Sequence, residues 1–272
     1  MQLTGHTILI TGGSAGIGLA FAQKFVELGN EVIVTGRRQS KLDEVKAQNP
    51  KLHTIQSDVS DATAVAALAI EVKRRFPRLD VLMNNAGVFV ARNLSESSSD
   101  LAGLTSEVET NVSGMIRMTS ALVDLLAANK GTLINVSSAV AFVPLTSAPI
   151  YSATKAAIHS YTTSLRFHLC DAGVRVVELM PPLVKTDMVA DMPEGDFKVI
   201  STEELVDETV KALNGDVLEI RVGLSNHLYW MSRIAPGFIS RQMWKGSRAL
   251  IPPSQSKALE GQGRSRRLLG TT

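Results

Sequence analysis

The stretch T-G-G-S-A-G-I-G, residues 11–18, follows the apolar run T-I-L-I at 7–10 and opens a helical pattern over 17–28. Its glycines fall at 12, 16 and 18, a G-x-x-x-G-x-G spacing rather than G-x-G-x-x-G. Gly12 permits a sharp turn out of a strand, Gly16 lets a phosphate approach the backbone, and Gly18 permits close helix–strand packing. The helix start presents amides with no intrahelical partner to an anion. Glycine loops mark many turns. One lying between an apolar strand and a helix predicts a dinucleotide site, in which Ser14, Ala15 and Ile17 fill the loop.

Outward from this loop, β-branched runs alternate with helical patterns. Strands are expected at 31–35, 53–56, 80–83, 132–136 and 175–179, with 217–222 as a last one. Helices are expected at 40–47, 62–76, 101–128, 151–170 and 202–213. The strands are apolar throughout rather than alternating, which implies a sheet covered on both faces. The fold class that follows is α/β, a doubly wound parallel sheet of about seven strands with right-handed crossovers. One Rossmann-type domain is expected over 1–250. Within it lie a closing lid at 186–200 and an atypical segment at 227–250 that mixes aromatics with arginines. A basic polar tail at 251–272 is expected to be disordered.

Of the 272 residues, 44% are hydrophobic and 20% charged, an ordinary soluble composition. The net charge of +2 indicates no nucleic-acid role. A single cysteine, Cys170, excludes an internal disulfide framework and a cysteine-built zinc site, and reads as a small packing residue at a helix end. No His/Asp/Glu cluster has ligand spacing, so no metal is expected, and His159 and His168 read as surface or packing residues. No run reaches the ~18 apolar residues of a membrane span. With no signal-like start, the expected location is cytoplasmic.

Two further patterns suggest chemistry. The second strand ends V-T-G-R-R, placing Arg37 and Arg38 where an NAD site usually has an acid for the ribose. A guanidinium can chelate a 2′-phosphate through two hydrogen bonds, so NADP(H) is expected over NAD(H). The segment P-I-Y-S-A-T-K, residues 149–155, puts Tyr151 one helical turn before Lys155, on one face.

Together these residues resemble the single-domain branch of the short-chain dehydrogenase/reductase family, over residues 3–222. The loop at 11–18 is similar to the family's T-G-x-x-x-G-x-G. S-D-V at 57–59 resembles its adenine-contacting D-V, nominating Asp58 and Val59. N-N-A-G at 84–87 resembles its fourth-strand motif, nominating Asn85, Ala86 and Gly87. Asn111 falls at the helix asparagine, I-N-V-S-S at 134–138 matches the serine segment, and 151–155 matches Y-x-x-x-K. The resemblance implies that Tyr151 is a general acid/base and that Ser138, thirteen residues before it, holds the substrate oxygen. Ser137 is then a structural turn residue. Lys155 would bind the nicotinamide ribose and lower the tyrosine's pKa, which is near 10 for a free phenol. Asn111 would hold a relay water.

After the sixth strand, P-P-L-V-K-T at 181–186 stands where the family has P-G-x-x-x-T. Pro181, Val184 and Thr186 carry over as cofactor contacts, while Pro182 stiffens the loop. Val90, Phe142, Val143, Leu145, Met188, Val189 and Met192 are expected to wall the pocket, suiting an apolar carbonyl or alcohol. The helices at 101–128 and 151–170 imply a homodimer or homotetramer. A non-catalytic NADP(H)-binding sensor on the same fold is the main rival reading, although it would not need both Tyr151 and Lys155. A halohydrin dehalogenase-like lyase would lack Lys155 and the glycines.

Overall fold

A computed structural model of the chain describes residues 3–92, 94, 100–189 and 198–248. Seven strands, β1 (Thr7–Thr11), β2 (Glu31–Gly36), β3 (His53–Gln56), β4 (Leu79–Asn84), β5 (Thr132–Val136), β6 (Arg175–Met180) and β7 (Glu219–Arg221), form one sheet. Their order is β3-β2-β1-β4-β5-β6-β7, with every pairing parallel. The chain winds outward from β1 in one direction and from β4 in the other. A crevice therefore opens beyond the carboxyl ends of β1 and β4, where ligands bind in open α/β sheets.

The strands are apolar at successive positions because helices cover both faces. Ile8, Ile10, Val32, Val34, Val81, Met83, Ile134 and Val177 point to one layer. It is filled by Phe21, Phe25, Leu42, Leu205 and Leu213 from α1 (Gly16–Glu27), α2 (Gln39–Gln48) and α7 (Thr202–Leu213). Leu9, Ile33, Leu82, Leu133 and Val176 point to the other. There they meet α3 (Ala62–Arg75), α5 (Gly114–Ala128) and α6 (Pro149–His168) through Val72, Leu122 and Leu165. Phe21 and Phe25 are fully enclosed, their ring centroids 5.8 Å apart. Phe25→Ala is expected to lower the unfolding free energy by about 3–5 kcal/mol, read from the shift in the urea midpoint.

The helix expected at 101–128 has two α-helical parts, α4 (Leu101–Val108) and α5, joined by a π turn at Glu109–Ser113. Beyond β7 the segment 227–250 falls largely in two short helices in contact, α8 (Leu224–Ile234) and α9 (Pro236–Arg248), together the α8–α9 hairpin. Ala235 separates them, and Pro236 opens α9. Buried Leu228, Ile239 and Met243 pack there with Ala139, Val143, Leu145 and Ala148 in a third cluster. No described helix is long and apolar enough to cross a membrane. Most of the lid expected at 186–200 and the whole tail at 251–272 lie outside the described residues. Cys170 is exposed just past α6 rather than packed, because the helix ends before it and turns its sulfur outward.

Candidate active site

Every strand that borders the crevice delivers a site residue at its carboxyl end. One cavity of about 610 Å³ is lined by Gly12, Ala15, Gly16 and Ile17 after β1 and by Arg37 and Arg38 after β2. Asn85, Ala86 and Gly87 line it after β4, Ser138 after β5, and Pro181, Val184 and Thr186 after β6. Tyr151 and Lys155 reach it from α6.

The glycine loop is built for close approach. Gly12 has φ +67°, and a Cβ there would lie 2.9 Å from the Ala86 Cα. Gly16, at φ +54°, starts α1 against the Thr186 side chain, and Ala15 at the N-cap offers no side chain to the first amides. No acid stands in that first turn, so the amides and the positive end of the helix face the cavity uncompensated. Asn85 Nδ2 holds the loop by donating to Thr11 O at 2.9 Å, while Thr11 Oγ1 accepts from the Asn85 and Ala86 amides, both at 3.0 Å. Arg37 and Arg38 are exposed at the outer end, and among the described residues neither guanidinium has an ion-pair or hydrogen-bond partner. A phosphate-rich dinucleotide fits this cradle of backbone amides and unpaired cations.

Five sequence-nominated residues stand outside the lining, Ser14, Gly18, Asp58, Val59 and Asn111. Ser14 sits beneath Gly36, and Gly18 packs on the Gly12 carbonyl. Asp58 spends its carboxylate on Ser60, accepting from its amide at 2.9 Å and its hydroxyl at 2.7 Å. Val59 is buried against Gly114.

Helix α6 begins with Pro149 in its first turn, where the ring's fixed φ suits a helix start. Its buried stripe of Lys155, Ile158, Thr162 and Leu165 follows i, i+3, i+7, i+10, so Lys155 is drawn into the core with Tyr151 one turn before it. Lys155 Nζ donates to Val136 O at 2.9 Å and lies 5.5 Å from the centre of the Tyr151 ring. Phe89 meets that ring edge-on, centroids 5.0 Å apart. Ser138 caps the short turn Ala139–Ala141, and its hydroxyl meets both the Tyr151 phenol and Pro181 O.

The electrostatics differ from the sequence expectation. The Tyr151 phenol is pushed well above its usual range, not below it. Burial is the main cause, the negative charge of Glu107 adds to it, and the Ser138 hydrogen bond only partly opposes it. Lys155 is itself held down at about 8 by burial, against the pull of Glu178, and its ammonium is turned to a carbonyl. At neutral pH the site therefore holds a protonated phenol beside a protonated but readily titrated amine. Any turnover in which the phenol gives up its proton beside a charged Lys155 is expected to weaken as pH rises through about 8, where Lys155 loses its proton. A pH profile of kcat/KM checks this, and a flat profile across that region would remove the titration from turnover. Because the unfolded amine titrates near 10.5, the unfolded chain binds more protons between about 8 and 10.5, and stability rises with pH across that window.

Asn111 is fully buried in the π turn. Its Oδ1 accepts from the Val88 amide at 2.8 Å, and its Nδ2 donates to Val88 O at 2.9 Å and Thr154 Oγ1 at 3.1 Å. The side chain thus ties the loop after β4 to α6 and fixes the separation between the cradle and Tyr151.

Sequence reasoning missed two buried acids. Glu107, one turn before Asn111, accepts from the Val90 amide at 3.1 Å and lies 4.0 Å from Arg92 Nε. Burial raises its carboxyl despite those partners. Glu178, in the middle of β6, accepts from Ser137 Oγ at 2.6 Å and pairs with His159 Nδ1 at 2.9 Å. That hydrogen bond chiefly raises the His159 pKa. Ser137 and His159 are therefore joined through Glu178 in one polar cluster, so Ser137 is more than a turn residue and His159 is a half-buried packing residue. The one available signal was an acid inside an otherwise apolar strand, R-V-V-E-L-M.

Of the expected apolar walls, Leu145, Met188 and Val189 line the cavity. Val90 and Val143 do not, and Phe142 instead meets His159 and Tyr229 edge-on, both with centroids 5.0 Å apart, while Met192 lies outside the described residues. Walls not foreseen include Phe89, Val140, Leu224, Leu228 and Met243, the last three from α8 and α9.

Residues 6–196 match the family described as short chain dehydrogenase, and the chain belongs to that family of oxidoreductases. It is 38% identical over 224 residues to the uncharacterized oxidoreductase DltE of Bacillus subtilis (strain 168), covering 81% of this chain and 89% of that protein. It is 30% identical over 227 residues to the serine 3-dehydrogenase of Agrobacterium fabrum, covering 83% and 87%. A short chain dehydrogenase from Burkholderia cenocepacia J2315, solved in complex with NADP, superimposes with a TM-score of 0.79 at 27% identity, covering 89% of this chain and 99% of that one.

Proposed function

We propose that the chain is an NADP(H)-dependent reductase of apolar carbonyl compounds, and the dehydrogenase of the corresponding secondary alcohols, with Tyr151 as its general acid/base. The observation that carries this reading is the convergence of Tyr151, Ser138 and Lys155 on the inner part of a cavity whose outer part is the glycine loop with Arg37 and Arg38. A nicotinamide held there would supply or accept the hydride. The amides of the loop and of the α1 start hold the pyrophosphate, and the two guanidiniums take the 2′-phosphate. Ser138 orients the substrate oxygen and Tyr151 delivers its proton there as negative charge develops. Lys155 stabilises the phenolate left behind, and Asn111 keeps α6 at working distance. Phe89, Val140, Leu145, Leu224, Leu228 and Met243 favour an apolar substituent on the carbonyl. Val108 and Ile116 on the long helix and Phe167 on α6, all exposed, support a homodimer across those helices.

The test is NADPH and NADH oxidation against a panel of aliphatic, aromatic and cyclic ketones and aldehydes. Turnover with NADPH, fastest with apolar carbonyls, supports the proposal. Silence across the panel with NADPH still bound would favour the non-catalytic sensor.

A further inference from the structure

The α8–α9 hairpin has two faces with different tasks. Inward, Leu224 and Leu228 of α8 and Met243 of α9 wall the cavity. Ile239, Met243 and Ser247 form the buried stripe of α9, and a hydrogen bond between Ser247 and Thr146 anchors it to the loop before α6. Outward, His227, Trp230 and Ile234 of α8 follow i, i+3, i+7, and Phe238, Arg241 and Lys245 of α9 repeat that spacing; all six are exposed. Ile234 is 74% exposed, Phe238 56% and Trp230 52%, three large apolar side chains around the bend of one hairpin. Isolated exposed apolar residues are ordinary, whereas a cluster on one projecting feature marks an interaction surface.

The charge around this cluster selects the partner. The two helices, residues 224–248, contain four lysines and arginines and no aspartate or glutamate, although the chain as a whole has a net charge of only +2. Arg233 is braced against the Tyr229 ring, 3.6 Å from its centroid, and stays exposed there. Aromatic and aliphatic tips flanked only by cations are the chemistry of helices that lie in a bilayer interface, with the apolar side chains among the acyl boundary and the cations on anionic headgroups. The helices have 11 and 13 residues, too short to span a bilayer that needs about 20.

We propose that the outward face of α8–α9 docks the protein on an anionic lipid surface, with Trp230, Ile234 and Phe238 entering the interface and Arg241 and Lys245 meeting the headgroups. The same two helices wall the cavity on their other side, and Met188 at its lining is 47% exposed. Docking thus brings an apolar pocket next to the phase in which apolar carbonyls concentrate.

Co-sedimentation of the full chain with vesicles tests this, using pure phosphatidylcholine against a two-to-one mixture with phosphatidylglycerol. The expected result is binding to the mixed vesicles only, weakened by added salt, with a blue shift in tryptophan emission. Arg241→Glu with Lys245→Glu should reduce binding at least about tenfold, and Ile234→Ser with Phe238→Ser should abolish it while thermal melts stay unchanged. Tyr151→Phe should bind vesicles as the parent does, so the docking stands or falls apart from the reaction. Equal, weak recovery with both lipid compositions would overturn the proposal. So would a concentration-dependent self-association that the Ile234→Ser/Phe238→Ser variant loses, which would make the face a contact between copies.

Discussion

Tyr151→Phe is expected to lower NADPH-dependent turnover about a thousandfold, within the range that a positioned general acid contributes. Affinity for the cofactor should be nearly unchanged. The substitution removes one oxygen and keeps the ring that Phe89 packs against at 5.0 Å, so the cavity wall survives. What disappears is the proton donor that meets Ser138. Its buried setting holds the proton on the phenol at neutral pH, which is the form a reductase needs. Steady-state kinetics with the best carbonyl of the panel, beside a fluorescence titration with NADPH, separates the two effects. Equal turnover in parent and variant would remove Tyr151 from the mechanism. Weaker NADPH binding with equal kcat would make it a cofactor contact only.

The second large effect is expected at the far end of the cavity. Replacing Arg37 and Arg38 together by alanine should raise the KM for NADPH about a hundredfold. Hydrogen bonds to charged groups contribute about 1.5–3 kcal/mol each, and the exposure of both side chains argues for the lower end. The KM for NADH should barely move, because that cofactor lacks the 2′-phosphate that the guanidiniums would bind. The cofactor preference would therefore fall by nearly the whole change in KM. A parent enzyme that turns over NADH faster than NADPH would reverse the cofactor reading, whatever the double variant does.

Much of the sheet was legible in the sequence because its strands are short apolar runs bounded by glycine, proline or polar residues. The structure lengthens several by a residue, as at Thr11, Gly36 and Met180, where the strand runs on into the site loop. The glycine loop, Ser138, Tyr151 and Lys155 were legible because local spacing and order along the chain carry their signal. Glu107 and Glu178 were not, because a buried acid is written like any other acid until its partners are known. Those partners are remote: Val90 for Glu107, and Ser137 and His159 for Glu178. Phe142 read as a pocket wall since it lies between Ser138 and Tyr151, but in three dimensions it turns to Tyr229 across the fold. The α8–α9 hairpin hid its inward face for a related reason. Its apolar residues occupy two helix faces at once, so no single periodic stripe separates Leu228 from Trp230.

The chain on either side of the expected lid is clamped at its base. Val184 and Ile200 form a single parallel bridge, with Lys185 N donating to Ile200 O at 2.9 Å and Ile200 N to Leu183 O at 3.1 Å. Residues 184 and 200 are thus already held together by the body of the fold, so a change in the length of chain between them costs little closure entropy. Doubling its length would add only about 0.6 kcal/mol of closure entropy. Segments grafted between Thr186 and Val199 would then leave β6, α7 and Tyr151 where they are.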